Sequence, residues 1–165
     1  MIFRLSQKLA KKIKVPAPLP KPLDPNPFAD WSAHVFTVQR TQYLLLTNTA
    51  SLYSTVLHGR GISDEGQFID RALRAISELM EANGQEATFK RFIAPGTANV
   101  TFASALNRSV TGSMNDLVNA AQFYLAEGDH SLFDISLRLN DMPMSYLKYG
   151  RPRDAFLSLS ASSTG

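Results

Sequence analysis

Six of the twelve residues between positions 16 and 27 are proline. Each proline locks φ and lacks a backbone donor, so this stretch can form neither a helix nor an interior strand. It has to run extended, in a polyproline II-like geometry without internal hydrogen bonds. The chain is thereby divided into a short lead, 1–15, and a body that begins near residue 28, joined by a stiff strap. The strap reads first as a spacer carrying the lead across the body, with Leu19 and Leu23 placed to pack. Its second reading is a ligand for an aromatic-groove domain, since Pro16/Pro20 and Pro22/Pro25 loosely suit proline-rich recognition.

The lead carries its own pattern. Residues 2–5 suit a short strand. Ser6 can cap a helix to about Lys14, with Leu9 and Ile13 on one face and Lys8, Lys11 and Lys12 mostly on the other. Residues 1–22 hold six bases and no acid, whereas the rest of the chain holds eleven bases and fourteen acids. The net charge of +3 is thus a basic lead on a slightly acidic body. The basic face reads as solvated, with Leu5, Leu9 and Ile13 packed on the body. A phosphate- or membrane-surface helix, or a nucleic-acid arm, is the lesser reading.

Residues 32–58 are the clearest β region. Runs at 33–38, 42–47 and 51–57 are rich in Val, Leu, Phe, Tyr and Thr, and the breaks between them are short enough for hairpins. Tyr43-Leu44-Leu45-Leu46 is continuous rather than alternating, so the middle strand should be buried on both faces. After His58-Gly59-Arg60-Gly61, Ser63 reads as the cap of a helix over 64–82, with an apolar stripe from Phe68 to Met80. A short helix over 85–93 places Phe89, Phe92 and Ile93 inward, and 99–105 reads as a further strand. Beyond 115 come a helix to 126, a third capped by Ser131 with Asp134 and reaching about Asn140, and a last one near 153–159 opened by Pro152. Residues 161–165 should fray. The expected architecture is a single α+β domain over 1–165. In it an antiparallel sheet of four to five strands, with a three-stranded meander at 33–57, packs against three to five helices.

With 165 residues, 44% of them hydrophobic and 19% charged, the chain can bury a core as one domain. It has no cysteine. That excludes disulfides, thiolate metal ligands and a cysteine nucleophile, and it suits a reducing compartment. The start has no apolar h-region of the kind a signal peptide carries. No apolar run approaches the roughly 18–20 residues of a membrane span. The chain reads as cytoplasmic and soluble.

The most distinctive polar run is Asn107-Arg108-Ser109-Val110-Thr111-Gly112-Ser113-Met114-Asn115-Asp116. It reads as a turn between a strand and a helix, with Gly112 free to take φ > 0 and Ser113 capping a helix whose third residue is Asp116. Such a turn gathers backbone N–H groups at the positive end of a helix, and Arg108 adds a forked cation. An ordinary capped turn uses the same parts. Arg108 itself has two fates: pairing with a carboxylate of this chain, which the surplus of acids in the body favours, or awaiting an anionic ligand.

This chain resembles a family of small single-domain bacterial proteins of unknown function. The resemblance rests on the Met-Ile-Phe-Arg start with its basic helix and on His34-Val35-Phe36-Thr37. It also rests on Leu46-Thr47-Asn48 followed by Ser51-Leu52-Tyr53-Ser54, and on the 107–116 run. It spans most of the chain. It implies a compact bacterial domain and brings no activity and no catalytic residue with it.

Other constellations are sparse. His34, His58 and His130 lie far apart, and none has the spacing of a helical metal pair, so no metal and no cofactor is expected. There is no phosphate-binding glycine loop and no nucleophile elbow, and Ser109 and Ser113 have no base partner in sequence. Asp30-Trp31 reads as a core anchor before it reads as an aromatic recognition spot. Three function classes remain. The first is a binding or regulatory module that takes an anion or a partner's backbone through Asn107, Arg108, Ser109, Ser113, Asn115 and His34. The second is a phosphate-ester hydrolase or nuclease-like enzyme with His34 as acid/base beside Arg108, Asn107 and Asp116. The third is a structural interaction protein, with a homodimer formed through a sheet edge or the basic helix. Convergence of His34 and Arg108 in one pocket discriminates the first two.

Overall fold

Leu44, Leu45 and Leu46 are all fully buried, and the molecule is built outward from them. The computed structural model describes residues 1–160, so the fraying expected at 161–165 lies outside the described residues. The strands are β1 (Ile2–Leu5), β2 (Asp30–Val38), β3 (Thr41–Asn48), β4 (Ser54–His58) and β5 (Thr101–Ala103), in the sheet order β4-β3-β2-β1-β5. β2, β3 and β4 form the expected antiparallel meander. Its first turn is only two residues, Gln39 and Arg40, with φ of 49° and 69°. That is the left-handed conformation whose twist suits a hairpin.

The sheet is mixed, not antiparallel throughout. β1 runs parallel to both neighbours, with Phe3 beside Trp31 of β2 and Phe102 of β5. The physical reason is the strap. A parallel pair needs a crossover of a dozen or more residues, and residues 6–29, helix α1 (Gln7–Lys12) plus the proline tract, supply it. β5 is also shorter than the 99–105 run suggests.

Alternation sends β-sheet side chains to two cores. On one face Phe3, Leu5, Trp31, Leu44 and Leu46 pack with Leu9 and Ile13 of the lead and with Phe68, Ala72, Ile76 and Met80 of helix α2 (Glu65–Ala82). On the other, Phe36, Leu45 and Val56 meet Val110, Met114 and Leu117 of helix α4 (Arg108–Glu127), and Ile135 and Leu139 of helix α5 (Leu132–Asn140). The lead is therefore packed on the body as its apolar spacing implies. Trp31 is a core anchor, fully buried with its Nε1 donating to the Phe28 carbonyl at 2.8 Å.

Local details follow capping chemistry. Ser6 caps α1 and Ser131 caps α5, as their positions imply. α2 is capped by Asp64, whose Oδ1 accepts from the Gln67 N–H at 2.8 Å, one residue beyond Ser63. The expected helix at 85–93 is split. A single α turn, α3 (Glu86–Thr88), runs into a π-helical turn at Phe89–Ile93 and a 3-10 turn at Ala94–Ala98. Ile93 is buried there, while Phe89 and Phe92 are half-buried. Helix α6 (Pro152–Leu157) opens on its proline.

The strap is held differently from the expectation. Leu19 and Leu23 stay exposed. The strap's carbonyls do the binding: that of Leu19 accepts from the Ser104 N–H at 3.1 Å, and those of Lys21 and Pro22 meet Arg4, which alternates with Phe3 and Leu5 and so points to the opposite face. Arg4 is 1% exposed. Its Nη1 donates to the Lys21 and Ser104 carbonyls, and its Nη2 donates to the Pro22 carbonyl. Its Nε and Nη2 form a forked pair with Asp30 at 2.9 and 2.8 Å. Asp30, fully buried, also accepts from the Asp24 N–H and the Thr49 hydroxyl. All five guanidinium N–H groups have acceptors, so this buried charge pair meets the condition under which such pairs are tolerated. Prolines leave carbonyls unpaired within the tract, and Arg4 takes up two of them.

Candidate functional site

The 107–116 run is not a turn before a helix. It is the cap and the first two and a half turns of α4. Asn107 is extended (φ −163°, ψ 173°), and its Oδ1 accepts from the Val110 N–H at 2.9 Å. The helix starts at Arg108, and its cap lies six residues ahead of Ser113, the position expected from the sequence. Ser113 lies inside it, 7% exposed, its hydroxyl donating to the Ser109 carbonyl at 2.9 Å. Asp116 sits in the third turn, far from any capping position. Gly112 is helical and does not use its freedom to reach positive φ. The reason for the shift is Val110. Starting the helix at Arg108 places Val110, Met114, Leu117 and Ala121 in one buried stripe, and a start at Ser113 would leave Val110 outside it.

The opposite side of those turns forms one wall of an open groove of about 470 Å³. Arg108, Ser109, Gly112 and Asp116 line it from α4, and Ser145 and Tyr146 close it from the 3-10 turn Ser145–Leu147. Arg108 is exposed and, among the described residues, has no carboxylate partner and no hydrogen bond. The expectation that it pairs within the fold is overturned. A Cβ at Gly112 would meet nothing within 4 Å. Packing therefore does not require glycine there, although glycine inside a helix costs roughly 0.5–1 kcal/mol relative to alanine.

The structure brings only some of the expected site residues together. Arg108, Ser109, Ser113 and Asp116 share the groove. Asn107 is committed to its cap, Asn115 is exposed but off the groove lining, and His34 lies elsewhere, on β2 opposite Leu45. His34 is half-buried, its ring has no hydrogen-bond partner among the described residues, and burial pushes its imidazole below the ordinary 6.5. The set His34, Arg108 and Asp116 does not converge. Among the described residues no group of three or more His, Asp or Glu could hold a metal ion, and no helix is long and apolar enough to cross a membrane.

Other motif residues turn out to be structural. Asn48 Nδ2 donates to the Pro27 carbonyl, and its Oδ1 accepts from both the N–H and the hydroxyl of Ser51, locking the β3–β4 turn to the end of the strap. Thr47 and Ser54 share a hydroxyl bond across β3 and β4. The one sequence signal for the Arg4–Asp30 pair is an arginine set among apolar residues in Ile2-Phe3-Arg4-Leu5, a strand buried along its whole length.

These features define a class: a single α+β domain on a mixed five-stranded sheet, its shared motifs spent mainly on a polar lock and a capped helix beside a groove. Residues 2–155 match the family described as Domain of unknown function (DUF6933), and the chain belongs to that family. No curated protein and no solved structure matches it.

Proposed function

We propose that this protein is a binding module that receives an anionic group of a ligand or partner in the groove between α4 and the Ser145–Leu147 turn. The observation that carries the reading is Arg108: a cation held on a capped helix, solvent-facing, without a carboxylate. Three neighbours support it. Ser109 lies in the first turn, where helix N–H groups lack intrahelical acceptors. Gly112 keeps the wall open at a helical position where packing asks for no glycine. Tyr146 adds a half-exposed ring on the far side. Asp116 at the other end of the groove gives it polarity, so a ligand that also carries a donor or cation is accommodated better than a bare anion.

The test is a thermal melt with sulfate and phosphate at fixed ionic strength. Binding to the native state raises Tm by mass action, and Arg108→Met should abolish that rise while leaving the ligand-free melt nearly unchanged. A wild-type melt that ignores both anions beyond the effect of chloride sinks the reading for such groups.

A further inference from the structure

β4 is an edge strand, and an edge strand presents a row of unpaired backbone groups. The bonded contacts Asn48 N–H to Tyr53 carbonyl and Gly59 N–H to Gln42 carbonyl fix the alternation, so Thr55 and Leu57 bond β3 and the N–H and C=O groups of Ser54, Val56 and His58 face outward. Most are occupied from within the chain. The Asn140 side chain acts as a substitute strand, its Oδ1 accepting from the Ser54 N–H at 2.8 Å and its Nδ2 donating to the Ser54 carbonyl at 2.9 Å. The Ser136 hydroxyl accepts from the Val56 N–H at 3.1 Å, and Arg71 Nη2 donates to the His58 carbonyl at 3.1 Å. Two groups are left without partners among the described residues: the Val56 carbonyl and the His58 N–H. They flank Leu57, the spacing at which a parallel strand engages a single residue through both its N–H and its C=O.

These two groups open into a cleft of about 250 Å³ floored by β4 and walled by α2 and α5. The cleft has a polarity. α2 runs antiparallel to β4, since Arg71 reaches His58 while Asn83 Nδ2 donates to the Tyr53 hydroxyl at 2.6 Å. Arg71 therefore stands at the C-terminal end of β4, and Glu78, seven residues on and about 10 Å along the helix axis, stands toward its start. Among the described residues the Arg71 side chain bonds the His58 and Arg60 carbonyls and meets no carboxylate. Glu78 has no ion pair among the described residues. Between them on α2 lies the partly buried Ala75, and across the cleft the partly exposed Phe133 of α5 adds apolar surface.

We propose that this cleft binds the C-terminal residue of a peptide or protein, laid parallel to β4. The residue's N–H donates to the Val56 carbonyl. Its terminal carboxylate accepts from the His58 N–H and from the Arg71 guanidinium. Its side chain is apolar and lies against Ala75 and Phe133, and a basic residue just upstream faces Glu78. Backbone pairing supplies the register, and the two unpaired charges at opposite ends select the direction. The site is separate from the Arg108 groove, and neither proposal depends on the other.

The test uses the full ¹⁵N-labelled chain titrated with the tripeptide acetyl-Lys-Ala-Leu as free acid and as C-terminal amide. The free acid should give saturable shifts centred on the Leu57 and His58 amides, and the amide should bind about tenfold or more weakly. Arg71→Met should erase the difference between acid and amide. Because that substitution also frees two carbonyls, the exposed Glu78→Lys serves as the second variant: it should keep the native spectrum and reverse the preference from acetyl-Lys-Ala-Leu to acetyl-Glu-Ala-Leu. Equal binding of acid and amide, shifts centred anywhere but this cleft, no saturation at millimolar peptide, or an unchanged preference in Glu78→Lys overturns the proposal.

Discussion

Two arginines in this chain stand in opposite conditions. Arg4 is taken out of water and given an acceptor for every N–H, including a forked carboxylate and three carbonyls. Arg108 stays in water, and its guanidinium has no partner among the described residues. Removing an arginine from water is expensive, and only a full set of partners makes it tolerable; leaving one exposed costs little and leaves its charge available. Arg4 therefore belongs to the fold, where it ties β1, β2, the strap and the end of β5 to one point. Arg108 has no such task, which is why it is the better candidate for a ligand contact.

The comparison breaks most visibly at Arg4. Arg4→Met leaves the Asp30 carboxylate buried beside three carbonyls that have lost their donor, and stability to urea should fall by about 3–5 kcal/mol. Adding Asp30→Leu should restore only part of this, because the Lys21, Pro22 and Ser104 carbonyls remain unpaired. A loss under about 1 kcal/mol for Arg4→Met would mean that water enters the lock and that the two arginines differ less than their surroundings indicate.

The next effect separates the cap from the groove. Asn107→Ala removes the acceptor of the Val110 N–H and should cost about 1 kcal/mol. Ser113→Ala removes only a hydroxyl bonded back to its own helix, and it should lie within about 0.5 kcal/mol of wild type. The reverse order in denaturant melts would restore the later helix start.

His34 is the intermediate case, partly removed from water without a partner. Its folded-state pKa is lowered by burial from the ordinary 6.5. As pH falls below about 6.5 the unfolded chain takes up the proton first, so the stability tied to neutral His34 is present above that pH and is lost below it. His34→Gln should flatten the fall in Tm on the acid side of pH 6.5 relative to wild type and leave the slope above it unchanged. Parallel acid limbs in the two proteins would remove His34 from the account.

How much of this was legible follows from the range of the interactions. The meander, the two-faced burial of β3 and the packing of Leu5, Leu9 and Ile13 are written in local periodicity, and a sequence carries those openly. The parallel placement of β1 is not, because it depends on where a 24-residue crossover lands its end. The helix start at Arg108 was misplaced because Ser113 and Asp116 imitate a capping box, while the real cap needed only Asn107 and the Val110 that follows it. The role of Arg4 is hidden because charge alone does not reveal the strap carbonyls that gather around it. Of the candidate site, Arg108, Ser109 and Ser113 could be picked from the polar run, whereas Ser145 and Tyr146 arrive from a separate turn with no sequence link to it. The open pair on β4 is invisible in sequence for a related reason: the side chains that occupy the rest of its edge, Ser136 and Asn140, bond it from 80 and 86 residues away.

The smallest expected effect sharpens the Arg108 side. Asp116 shares the groove with Arg108 eight residues along the helix, which at 1.5 Å per residue is about 12 Å. An anion resting on Arg108 would feel that carboxylate across water, where two unit charges at such a distance interact by only about 0.3 kcal/mol. Asp116→Asn should therefore tighten sulfate binding by less than about twofold at low salt. The gain should vanish near 0.15 M, where the screening length is about 8 Å. Its ligand-free stability should stay within about 0.5 kcal/mol of wild type, since Asp116 caps nothing. A much larger gain would place the anion nearer Asp116 than Arg108, in the middle of the groove beside Gly112. A weakening would mean that Asp116 itself holds the ligand through a donor or a cation, making the preferred ligand one that carries both charges.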